Sequence, residues 1–230
     1  MKTPDISIII PVFQEEKTIC ETLDTLRKLN DDAAAEIIVV DGDPQKTTIR
    51  GISGHPAIKT LAAPKGRGRQ MNAGANIAQG EILLFLHADT RLPEGALARI
   101  RQAVKDRNIA AGAFELGIDA PGPAFRIIER MASWRSHLTR IPYGDQAIFI
   151  KHPLFRKLGG YQSLAIMEDI NLMQRIKESG SKIKIIRQKV HTSARRWEKE
   201  GVLACTLRNW LLSSAYYLGV PPEKLKRYYS

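Results

Sequence analysis

The stretch LLFLHADT, Leu83 to Thr90, decides how this chain is read. With Ile82 before it, Leu83 to Leu86 makes an unbroken apolar run, and a short run bounded by polar residues predicts a buried strand. The run stops at His87, Ala88 and Asp89. Residues two apart on a strand share a face, so His87 and Asp89 are expected to look the same way. They would do so at the strand end where open α/β sheets bind ligands.

Outward from this strand the pattern repeats. ISIIIPVF (Ile6 to Phe13) reads as a β-branched strand, and EEKTICETLDTLRKL behind it carries Ile19, Leu23, Leu26 and Leu29 at helical spacing. EIIVVDGD (Glu36 to Asp43) is a second strand that ends in acids, and AIKTLAA (Ala57 to Ala63) is a shorter third. GRQMNAGANIAQ predicts a helix, as does PEGALARIRQAVKD, with Pro93 in its first turn. Strands alternating with helices predict an α/β fold with a mostly parallel, helix-covered sheet.

The second half is less regular. IAAGAFELGI, GDQAIFI and KIKIIRQKVH read as strands, the last ending at His191. AFRIIERMASWRSHLTR and MEDINLMQRIKESG read as helices, HPLFRKLGGY as a short one ending at Gly159 and Gly160. VLACTLRNWLLSSAYYLG closes the chain as another helix. No repeat or linker divides the 230 residues, so one domain is expected over 1–230, with a basic C-terminal helix, about 200–230, as an appendage.

Composition is that of an ordinary soluble protein, with 43% hydrophobic and 26% charged residues. Cys20 and Cys205 lack metal-site spacing, which suggests reduced thiols and a cytoplasmic protein. No secretory leader and no membrane span are expected. The net charge of +11 is uneven: residues 175–230 hold 13 Lys and Arg against 4 Asp and Glu, the rest 22 against 20. That basic quarter suits a solvated surface, a phosphate-rich ligand or the inner face of an anionic membrane. Nucleic acid is not expected, because no known nucleic-acid-binding signature is present.

Four predicted strands end in polar groups: Pro11 to Glu15, Asp41 to Asp43, His87 to Asp89, and His191. Parallel strands would gather these ends at one edge. Lys65, Arg67 and Arg69 stand among glycines just before a helix, where guanidinium groups and helix N-termini suit phosphate. A dinucleotide fingerprint is missing, since no glycine follows the first strand. Glu168 and Asp169 open a helix, as capping acids or with one of them as a general base.

SIIIPVFQEEKTI, IIVVDGD, GRGRQMNAGA, ILLFLHADT, GGY and MEDINLMQRI occur in an order that resembles family 2 glycosyltransferases. Among these, the chain looks like a bacterial branch labelled by association with arsenosugar biosynthesis. The resemblance implies a GT-A fold, a nucleotide-diphospho-sugar-binding α/β domain. It also implies an inverting transfer that depends on Mn²⁺ or Mg²⁺, from a donor expected to be UDP-linked to a hydroxyl acceptor. By the same resemblance, Pro11, Phe13 and Glu15 would hold base and ribose, Asp41 the uracil ring, and Arg67 or Arg69 the diphosphate. His87 and Asp89 fall at the D-x-D position, where Asp89 would bind the metal and His191 could add a ligand. Asp169, beside Glu168, would be the base, and Asp145 in GDQ an acceptor contact.

This sequence departs from the family pattern twice. DGDP stands where DDGS is common, and His87 replaces the first acid of D-x-D. Metal binding could be weakened, shifted to a softer ion, or carried by Asp89 alone. A nucleotide-sugar-binding protein without transfer activity therefore stays open beside the enzyme, as does, more remotely, a basic nucleic-acid binder. His55, His137 and His152 are expected at the surface, and Trp134, Trp197 and Trp210 in the core or an interface. Leu203, Leu207, Leu211 and Leu218 can share one helix face, suited to packing on the domain, to a homodimer, or to a membrane surface holding a lipid-linked acceptor.

Overall fold

Ile6, Ile8, Ile10 and Val12 alternate with Ser7 and Ile9 along a strand that is buried on both faces. β-Branched side chains stiff at χ1 pack well on such a pleated surface, so ISIIIPV becomes the central strand. The computed structural model describes residues 4–29, 35–52 and 57–229. His55 lies outside the described residues.

The strands are β1 (Ile6–Val12), β2 (Ala35–Asp41), β3 (Lys59–Ala62), β4 (Ile82–Phe85), β5 (Thr90–Arg91), β6 (Ile109–Asp119), β7 (Ile148–Lys151) and β8 (Lys182–Ser193). They form one sheet in the order β3-β2-β1-β4-β7-β6-β8-β5. The helices are α1 (Glu16–Leu29), α2 (Thr47–Gly51), α3 (Arg67–Ile77), α4 (Ala96–Lys105) and α5 (Pro123–Thr139). After them come α6 (His152–Lys157), α7 (Glu168–Glu178), α8 (Arg195–Glu200), α9 (Val202–Tyr217) and α10 (Pro222–Leu225).

β1 to β4 run parallel, whereas β7 lies antiparallel between β4 and β6. β8 is parallel to β6, so β8 points the same way as β4. The carboxyl ends of β1, β2, β4 and β8 therefore share one edge, as their polar endings suggested. The α/β class and the mostly parallel, helix-flanked sheet match the sequence reading. β7 falls on the strand expected at GDQAIFI, and its antiparallel place makes the sheet mixed. The two-residue β5 was not foreseen, since it is too short to carry a period.

Alternation splits the core into two layers. Ile6, Ile8, Ile10 and Leu84 pack with Ile19, Leu23 and Leu26 of α1 on one face. Ile9, Leu83 and Phe85 pack with Met71 and Ala75 of α3 and with α7 on the other. Each such Ile or Leu withdrawn from water contributes about 1.5–3 kcal/mol, so the inward stripe of α1 is what holds that helix to the sheet. Pro11 lies inside β1, opposite Val40. Its missing N–H faces the β4 side, where pairing has already ended at Ile9 opposite Phe85, so no ladder bond is lost.

Two boundaries moved. α4 begins at Ala96 behind Gly95, whose φ of 70° breaks the helix, so Pro93 precedes the helix instead of entering it. The leucine stripe of α9 does not pack on the domain. Leu203, Leu207, Leu211 and Leu218 are exposed, and the helix docks through Cys205, Leu212 and Ser213. Cys20 and Cys205 are both free thiols. Among the described residues, no helix is long and apolar enough to cross a membrane.

Candidate active site

β4 ends at Phe85, one turn short of the residues that matter. The chain then turns, with the Thr90 N–H donating to the His87 carbonyl at 3.1 Å, and enters β5. This turn, not a continued strand, lets His87 and Asp89 line the same cavity of about 270 Å³. Arg67, Asp145 and Asp169 line it too, so five of the sequence candidates meet there.

Buried glutamines pin the loops around the cavity. Gln70 Nε2 donates to the carbonyls of Val12 (2.7 Å) and Val40 (2.8 Å), and its Oε1 accepts the Gly66 N–H at 3.3 Å. One side chain thus ties the ends of β1 and β2 to the head of α3, where Arg67 stands. A Cβ on Gly42 would lie 2.8 Å from the Gln70 side chain, which is why DGD carries a glycine there. Gln146 does the same for GDQ: Oε1 accepts the Tyr143 N–H at 3.1 Å, and Nε2 donates to the Phe114 carbonyl at 2.9 Å. Gln14, Ala147 and Met167, beside the site's loops, hold left-handed φ values of 57°, 51° and 66°. Such strain costs about 1–3 kcal/mol each and gathers at functional sites.

Asp169 and His87 converge on Gly144. The Gly144 N–H donates to Asp169 Oδ2 at 2.5 Å, and the Ile170 N–H to Oδ1 at 2.8 Å. A Cβ on Gly144 would stand 3.1 Å from His87 Nε2 and 3.3 Å from Asp169 Oδ2. Burial, with the Arg67 guanidinium close by, depresses His87 to about 4, so its imidazole is neutral at neutral pH. Arg67 Nε pairs with Glu168 Oε1 at 2.7 Å. That carboxylate holds Arg67 firmly protonated, while burial pushes Glu168 upward against the pull of Arg67. Burial also raises Asp145 to about 6, and its Oδ1 has no hydrogen-bond partner among the described residues.

Other candidates lie elsewhere. Asp41 is fully buried, and its oxygens accept the N–H groups of Asp43 (2.8 Å) and Ile49 (3.2 Å). It builds the turn after β2 and has no exposed oxygen for a base. Pro11 is buried in β1 and offers no surface to a ligand. Arg69 is exposed and donates to Ser163 Oγ at 3.1 Å, so of the two arginines only Arg67 lines the cavity. His191 is exposed on the outer side of β8 and lines a separate cavity with Asp119 and Arg126. Thr192 and Ser193 take the inner position, so His191 does not join Asp89. Phe13 lies under Lys65 Nζ, 3.7 Å from the ring centroid.

The C-terminal segment supplies residues that sequence reading missed. Arg195 joins Asp89 Oδ2 (3.0 Å) to Glu15 Oε2 (3.3 Å). Arg196 donates to the Tyr229 hydroxyl at 2.7 Å, and both residues line the cavity. The local charge excess was the only signal for them. His137 and His152 are half-buried, not surface groups: His137 Nε2 meets Glu115 Oε1 at 2.8 Å, and His152 Nδ1 meets the Gly80 carbonyl at 3.1 Å.

Among the described residues, no three His, Cys, Asp or Glu side chains gather to hold a metal alone. Asp89 offers one carboxylate, with the neutral imidazole of His87 beside it. That set fits a hard cation that takes its remaining ligands from diphosphate and water.

A family model described as glycosyl transferase family 2 matches residues 7–159. No curated protein matches the sequence. Among solved structures, the chain resembles the mannosyltransferase PcManGT from Pyrobaculum calidifontis in complex with GDP-Man and Mn²⁺. The TM-score is 0.69 at 19% identity, over 99% of this chain and 68% of that one. It also resembles TarS residues 1–349 from S. aureus in complex with UDP-GlcNAc, with a TM-score of 0.64 at 16% identity. That match covers 82% of this chain and 58% of the TarS chain.

Proposed function

This chain belongs to glycosyl transferase family 2, and on that premise we propose that it moves a sugar from a nucleotide-diphosphate donor to a hydroxyl acceptor, inverting the anomeric centre. The observation that carries the reading is the convergence of Asp169, Asp89, His87 and Arg67 on one cavity at the carboxyl edge of the sheet.

Asp169 is the general base. Its Oδ2 and Oδ1 are oriented by the Gly144 and Ile170 amides, which leaves further lone pairs to take the acceptor hydroxyl proton. Removal of that proton as the hydroxyl attacks the anomeric carbon gives single displacement, hence inversion. Arg67 and Arg196 bring positive charge to the cavity where the departing diphosphate develops negative charge. A bound Mn²⁺ or Mg²⁺ would offset the same charge, held by Asp89 with His87 beside it. Phe13 under Lys65 and Glu15 at Arg195 are the groups for base and ribose. Asp145 is the acceptor contact. The arsenosugar-associated branch is supported only by the order of the motifs.

Glu168 keeps Arg67 aimed, so the pair works as one unit. Membrane-peripheral association through the basic C-terminal quarter fits the exposed leucines of α9. Calorimetry with UDP and with GDP, each with and without Mn²⁺, tests the reading. Binding of at least one nucleotide, strengthened by Mn²⁺, is expected. Absence of binding in all four titrations would reject it.

A further inference from the structure

A second, larger cavity of about 610 Å³ lies between α5 and α9, and its wall is apolar. Leu116, Ile128, Met131 and Ile141 line it, as do all three tryptophans of the chain, Trp134, Trp197 and Trp210. Its volume is that of a site for a sizeable organic molecule.

This groove is continuous with the catalytic cavity. Tyr143, Asp145, Trp197, Asn209 and Ser213 line both. At that junction Asp145 Oδ1 and Asn209 Oδ1 are buried acceptors with no hydrogen-bond partner among the described residues. Such an atom costs about 1–3 kcal/mol unless something donates to it. Hydroxyl groups would do so, whereas an anionic head would meet the Asp145 carboxylate.

The far end opens onto an apolar surface. Trp134 is 69% exposed and Trp210 47%, and the exposed leucines of α9 run on from there, with Leu203 at 84% and Leu218, just past the helix end, at 86%. Exposed aromatic and aliphatic side chains beside Arg135 and Lys177, which also line the groove, suit a lipid interface.

We propose that the groove holds the aliphatic chain of a lipid acceptor, whose hydroxyl-bearing head reaches Asp145 and Asp169. The assignment rests on the transferase reading and adds the class of acceptor. Polar acceptors such as free sugars or peptides would leave the tryptophan-lined groove empty.

The test uses dodecyl β-D-maltoside below its critical micelle concentration, with maltose as the tail-less control, read by tryptophan fluorescence. Saturable binding of the detergent and no response to maltose are expected. Met131→Asp, at a position 42% exposed, and Trp134→Ala should each weaken that binding at least tenfold. No response, or equal affinity in wild type and both variants, would overturn the proposal. So would a dimer in sedimentation that Met131→Asp dissociates, because a second copy would then cover the face. UDP and GDP calorimetry on the same samples separates the two levels. Nucleotide binding without a detergent response removes the lipid acceptor alone. Absence of nucleotide binding removes the transferase reading and the acceptor with it.

Discussion

Arg195 Nη2 donates to Asp89 Oδ2 at 3.0 Å, across 106 positions of sequence. The same guanidinium reaches Glu15, so one cation joins the carboxylates assigned to metal and ribose. A divalent ion held by Asp89 would compete with Arg195 for that carboxylate. Arg195→Ala should therefore lower the Mn²⁺ concentration for half-maximal enhancement of nucleotide binding by roughly three- to tenfold. The pair is substantially exposed, so the stability change should stay within about 1 kcal/mol. Calorimetry across a Mn²⁺ series reads the first effect and thermal melting the second; a rise in the Mn²⁺ requirement would contradict the competition.

Asp169→Asn removes the base while keeping the side chain's shape. Turnover should fall by about 10²–10⁴-fold, with nucleotide affinity retained. Asp89→Ala should instead abolish the Mn²⁺-dependent part of nucleotide binding. Lost nucleotide affinity in Asp169→Asn, with transfer surviving at reduced kcat, would assign the base elsewhere.

Gly144→Ala adds a methyl 3.1 Å from His87 Nε2 and 3.3 Å from Asp169 Oδ2. Both groups must shift by a few tenths of an ångström, which misaims the base. A drop in kcat of about tenfold or more is expected, with KM for the donor nearly unchanged. A variant with wild-type kcat would mean that the Gly144 amide does not position Asp169.

Arg67 and Glu168 form a pair with one buried partner, the Glu168 side chain being 5% exposed and that of Arg67 39%. Arg67→Gln leaves a buried carboxylate unpaired. Complete burial would make that loss about 3–5 kcal/mol, and the exposure of Arg67 reduces it to about 2–3 kcal/mol. Adding Glu168→Gln should recover most of it, and chemical denaturation of the four proteins of the cycle measures the coupling. Additive losses would show that the pair is not coupled.

Asp145 is raised to about 6 by burial, above its unfolded value of 3.8. The folded state thus binds the proton more tightly, so stability falls as pH rises from about 4 to 6 and stays lowered above that. Asp145→Asn should stabilise the protein at pH 8 by up to about 3 kcal/mol and be nearly neutral near pH 4. Melting temperatures at the two pH values check the sign.

The strands and helices of the first half were legible because their periods are local. ISIIIPV and ILLF are apolar runs of strand length, and Ile19, Leu23 and Leu26 repeat at the spacing of one helix face. Family membership was legible for a similar reason, since the motifs keep their order along the chain. The fates of single candidates were less so. Asp41 and Asp89 are both acids at strand ends. One is enclosed by backbone amides of its own turn and the other faces a cavity, a difference set by α2 and α8 folding over them.

By itself, then, the sequence determined most of the strands, the edge at which polar strand ends collect, and the acids and bases available there. Periodicity and residue chemistry are properties of short stretches and need no knowledge of what packs against them. Tertiary structure alone decided which groups meet. It turned His191 outward and Thr192 inward by the alternation of β8, brought Arg195 onto Asp89, and left the leucine stripe of α9 facing solvent. Those outcomes depend on contacts between residues far apart in the chain, and no local pattern encodes the direction from which a distant helix arrives.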